Sequence, residues 1–254
     1  MRSKMLRRLF GASVLAVLVG VVTAADPALS TATAGKAVEA DIAHLNQVIE
    51  LSKTKKVGGR VKASAMLLAV YAEENLTGKD GAKMATLRAE ALKIAVAAQK
   101  KDMATAGTAA KGLKGLSADA KADAKAMKVE DLIKKSDLGI GEVMDMFGGS
   151  TGGGFNIEKD LREIKKNGVK STDAVELLGA RTAAIAAYTL ELRPDAAKGP
   201  AKKDWDTWSM EMKKLSTDLA TEAAKGKTAD LAKLKKIATS LDANCTNCHN
   251  KFKD

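Results

Sequence analysis

Near the end of the chain, Leu231, Leu234, Ala238, Leu241, Cys245 and Cys248 recur at alternating intervals of three and four residues. Residues spaced in this way share one face of an α-helix, so they form a single small or apolar seam. A strand repeats every two residues and cannot present such a seam on one face. The cysteines continue the seam rather than interrupt it. They should therefore point where the leucines point, into the interior of a helical protein.

With the residue that follows, Cys245, Cys248 and His249 read C-x-x-C-H, the sequence at which c-type haem is attached. On a helix, both thiols and the imidazole can address one flat ligand. The thiols would form thioethers with its two vinyl groups, and His249 would reach the iron as proximal ligand. Other chemistries also use close cysteines. A dithiol redox pair is expected beside a βαβ pattern, and no strand-like alternation is present. Zinc wants about four nitrogen or sulfur ligands, whereas the remaining histidine, His44, lies some two hundred positions away. A disulfide across so short a loop would stabilise little. One covalently attached haem c is the expected cofactor.

The other end of the chain bears on where such chemistry would occur. Residues 1–24 read as an export signal. Arg2, Lys4, Arg7 and Arg8 precede the apolar run Leu9 to Val22, and Val22-Thr23-Ala24 offers a small-residue cleavage site. The run is short of the ~20 residues that span a bilayer, and no later stretch is long and apolar enough. The expectation is an exported protein of the bacterial periplasm with no stable membrane span. The net charge is +11, or about +7 without the four signal cations. That surplus suits either a solvated lysine-rich surface or an acidic redox partner. Nucleic acid is not expected of an exported chain without aromatic or arginine-rich patches.

Aromatics at 3% and three prolines that avoid the periodic stretches give an all-α profile. The helices fall into two halves, residues 35–147 and 155–254, around Gly148 to Gly154, which holds five glycines in seven positions. Such a stretch reads as flexible backbone. In the first half, apolar faces predict helices near 37–52, 59–74, 81–98 and 102–116, then a looser section with a short amphipathic helix. In the second, Ile157, Leu161 and Ile164 mark a short first helix, and Thr172 or Asp173 caps the next. Trp205, Trp208 and Met212 lie on the third, and Thr228 caps the helix that carries the motif. Laying Gly58-Gly59-Arg60 on Gly179-Ala180-Arg181 suggests a duplication in which the first copy has no haem ligands.

Residues 155–254 resemble the class II c-type cytochromes, the cytochrome c′ family. The likeness rests on four helices, a tryptophan-bearing third helix, and C-x-x-C-H-x-x-F-K at the extreme C-terminus. The resemblance implies an antiparallel four-helix bundle with haem between its helices and the final-helix histidine on iron. The whole chain would then be two tandem bundles, the first a haem-free relative of the second. Lys253 matches the family's basic residue after the aromatic, where arginine is more usual. Dimers are common in the family, so a homodimer is implied.

Six-coordinate members of that family place a methionine on the first helix of the bundle, and five-coordinate members an apolar residue. Leu161 and Ile164 occupy that helix here, so they are expected in the haem pocket with Trp205, Trp208, Met212 and Lys253, and the iron is expected to be five-coordinate. Met144 and Met146 lie upstream of the glycine run, which would have to fold back to bring them near.

The expected function is electron transfer with an unidentified redox partner protein. A haem protein binding NO or CO, and a helical scaffold or sensory domain with secondary haem, are the alternatives. No catalytic constellation or phosphate loop stands out, so an enzyme is not expected.

Overall fold

A computed structural model describes residues 29–77, 79–117 and 122–252. The expected export signal and Lys253 fall outside these residues. Among the described residues the chain is all-α, with ten helices and no strand. They are α1 (Thr31–Ser52), α2 (Gly58–Glu74), α3 (Gly81–Gln99), α4 (Met103–Gly112), α5 (Val129–Ser136), α6 (Ile140–Met144), α7 (Ile157–Asn167), α8 (Thr172–Thr189), α9 (Lys202–Ala223) and α10 (Leu231–Phe252).

Starts and stops follow local chemistry. Ser30 caps α1 by accepting from the Thr33 N–H, Asp102 caps α4 through Thr105, and Ser171 caps α8 through Ala174. Ser171 thus takes the role expected of Thr172 or Asp173. At α10 the Asp230 carboxylate accepts from the Lys233 N–H, while Thr228 lies in the 3-10 turn before it. Leu231 is consequently in the first turn of α10 and is exposed, so the buried seam begins at Leu234.

Within each half, successive helices pack on one another: α1 on α2, α2 on α3, α3 on α4, and likewise α8 on α9, α9 on α10, and α10 on α7. The halves meet where α8 packs on α1 and α2, and α2 and α8 are buried almost all round. A helix apolar on every side is stable only in such a central position. One apolar core runs through both halves, from Leu45 and Leu68 to Ile185 and Leu241. The α8–α9 approach is set by Gly179, where an added Cβ would sit 2.6 Å from Ala220 N and 2.8 Å from Ser216 O.

Polar contacts lock the same junction. Glu176 of α8 accepts from Thr33 Oγ1 at 2.9 Å and pairs with Lys36 at 2.7 Å. Arg181 grips the buried Asp41 through Nε and Nη2 and lies over the Phe155 ring. The Tyr188 hydroxyl donates to Met66 O of α2.

The glycine-rich run at 148–154 is a folded loop rather than a loose tether. Phe155 N–H donates to Met146 O and Asn156 N–H to Gly148 O, both at 2.8 Å, closing the loop on itself. Side chains from the first half hold it from outside. Arg60 donates to Gly152 O, Lys55 to Thr151 O at 2.9 Å, and His44 Nε2 lies 3.2 Å from Gly153 O. Gly153 has φ +86°, and Gly154 packs too close to Gly148 O to admit a Cβ. The glycines therefore serve close approach, and the loop turns the chain back on itself.

Candidate functional site

Cys245, Cys248 and His249 lie on the last turns of α10, and all three line one cavity of about 240 Å³. The antiparallel run of the helices brings the start of α7 (Glu158), the end of α8 (Thr189) and the start of α9 to the same place. From α9 come Trp205, Trp208, Ser209 and Met212; Phe252 closes the end of α10. The lining is overwhelmingly apolar. Because Trp208, Cys245, Cys248 and His249 are only partly buried, the cavity reaches the surface.

The aromatic wall is fixed by polar ties. Trp205 Nε1–H donates to Thr189 O at 2.6 Å, which satisfies the buried indole. Phe252 meets Trp205 and Trp208 edge-on, with ring centroids 5.3 and 5.7 Å apart. Lys251 pairs with Asp204, tying the end of α10 to the start of α9. Beside the thiols, the buried Asn244 donates to Glu211 Oε2 at 2.9 Å.

Cys245 and Cys248 are not joined to each other in a disulfide. Burial pushes Cys245 up to about 12, with the neighbouring Cys248 adding to the rise, and burial likewise pushes Cys248 up to about 11. Each is therefore a protonated thiol near neutral pH. A dithiol redox centre needs the opposite shift. No group of three or more histidine, cysteine or acidic residues suited to a metal ion occurs among the described residues.

Of the residues expected in the pocket, Trp205, Trp208 and Met212 line the cavity. Leu161 and Ile164 do not. They are buried in the common core, on the face of α7 that packs against its neighbouring helices. Helical periodicity marks a face that will be covered but does not say by what. His44 sits away from the cavity, 4.3 Å from the Phe155 ring and against the glycine loop.

One wall was not anticipated. Ile140, Gly141, Met144 and Phe147 line the cavity from the segment that precedes the glycine loop. The folded loop carries this segment back over the second half. Met146, by contrast, is buried among first-half residues, its Sδ 3.9 Å from Ser64 Oγ.

No protein-family model matches this chain, and neither a curated protein nor a solved structure matches it. No helix among the described residues is long and apolar enough to cross a membrane.

Proposed function

We propose that this chain is an exported monohaem c-type cytochrome that transfers electrons, its C-terminal half a cytochrome c′-like bundle and its first half a haem-free companion. The observation that carries the reading is the convergence of Cys245, Cys248 and His249 on one apolar, tryptophan-walled cavity open to the surface. Two thiols, an imidazole and aromatic planes make a donor set suited to a flat iron porphyrin with two vinyl groups.

Cys245 and Cys248 would hold the group covalently. Each thiol would add across a vinyl C=C, with an S–C bond formed, the thiol proton passed to the adjacent carbon and nothing oxidised. His249 would supply the axial nitrogen. When bound, the haem supplies one-electron exchange between ferric and ferrous iron, with a partner protein as donor or acceptor. Trp205, Trp208 and Phe252 exclude water from one side of the cavity and keep its local dielectric low, which tunes the potential. The surplus of lysine and arginine would favour an acidic partner in the first encounter.

The variant His249→Ala tests the axial assignment. It keeps both thiols, so haem stays attached while its visible spectrum changes. An unchanged spectrum at full haem occupancy would put another residue on the iron.

A further inference from the structure

We infer that Met144, from the segment joining the two halves, is the sixth ligand of the haem iron, and that the first half holds it in place. The inference rests on the reading of the cavity as a haem site. Cys245, Cys248 and His249 all come from α10, whose principal neighbours are α7 and α9. Met144 ends α6, which packs instead on α2 and α8. The two segments belong to different elements yet line a single cavity, which brings Met144 to the same site as the motif. A thioether is a soft, neutral donor that needs no deprotonation to bind iron. Met212 also lines the cavity, but it belongs to α9, which packs directly against α10.

The segment bearing Met144 is held firmly for so short a helix. Lys62 of α2, itself 6% exposed, pairs with Glu142 Oε2 at 2.7 Å and donates to Asp137 O at 2.6 Å. The Glu142 carboxylate also accepts from Gly139 N–H at 2.9 Å, closing the first turn of α6. On the other side of Met144, Met146 and Phe147 are buried, and Arg60 donates to Gly152 O. Between these anchors Met144 stays half-buried and lines the cavity. Pinned on both flanks, it needs little further ordering to meet a ligand, which lowers the entropy cost of coordination. The haem-free half thereby acquires a role, with α2 as a platform for the segment that brings Met144 to the site.

The test uses the full-length exported protein, after covalent haem has been verified by its resistance to acid-acetone extraction. Absence of covalent haem would refute the haem reading itself. With haem attached, the ferric protein should show the methionine-to-iron charge-transfer band, and the ferrous protein should bind CO slowly because a ligand must leave. Met144→Leu should abolish the band and make CO binding fast, while Met212→Leu should leave both as in the parent. A parent protein lacking the band and binding CO as fast as Met144→Leu would overturn the inference. So would loss of the band in Met212→Leu alone. Either result leaves the covalent attachment standing.

Discussion

Arg181 of α8 holds Asp41 of α1 through Nε at 2.7 Å and Nη2 at 2.6 Å, across the junction between the two halves of the chain. The carboxylate is buried, and its Oδ2 and the adjacent Tyr71 hydroxyl both lack a well-formed hydrogen bond. Such a site depends on its one cation. Arg181→Met should therefore destabilise the protein by about 3–5 kcal/mol, the range for stranding a buried charge. Urea denaturation at neutral pH measures it; a loss below ~1 kcal/mol would show that the pair contributes little.

The same junction should make stability depend on pH in two opposed ways. Burial raises Asp41 to about 6, against the pull of Arg181. Its contribution is thus fully present below the ordinary carboxylate value, near 4, and is lost as pH rises through about 6. Burial, and then Arg181, lower His44 to about 4. That contribution is fully present above about 6.5 and is lost as pH falls through about 4. Between pH ~4 and ~6 the two offset each other. Relative to the parent, Asp41→Asn should gain stability as pH rises across that window, and His44→Gln should lose it. Urea midpoints at several pH values check both signs, and parallel profiles for all three proteins would contradict the assignment.

Gly179 makes a narrower prediction. A methyl group there would press on the α9 backbone at Ala220 and Ser216, which cannot yield as a flexible side chain could. Gly179→Ala should destabilise by about 1–3 kcal/mol despite the better helix propensity of alanine. A thermal melt that rises or stays unchanged would show that the helices can separate freely.

Much of this structure was legible in the sequence, for a physical reason. Apolar spacing reports that a helix face is covered, and the faces of α2, α3, α8, α9 and α10 emerged close to their observed bounds. Cys245, Cys248 and His249 were readable because their spacing is local, as was that of Trp205, Trp208 and Met212. The glycine run was not. Five glycines in seven positions fit a tether and a tightly closed loop equally well, and the loop is decided by Arg60, Lys55 and His44, which are distant in sequence. Met144 reaches the cavity only because that loop folds, whereas Leu161 and Ile164 face the core.

The shared core has a consequence for dissection. Residues 155–254 alone would expose the α8 face that packs on α1 and α2, and would leave Arg181 and Glu176 without Asp41, Thr33 and Lys36. That fragment should melt with weak cooperativity or aggregate. A sharp melt near that of the whole chain, followed by circular dichroism, would mean that the junction contributes little to either half.

Covalent haem attachment is tested most directly by acid-acetone extraction of the purified exported protein, read by its haemochrome spectrum and intact mass. One haem per chain should stay with the protein, and changing Cys245 and Cys248 together to serine should release all of it. A parent protein that carries no haem, or gives it up to the solvent, would contradict covalent attachment at this cavity.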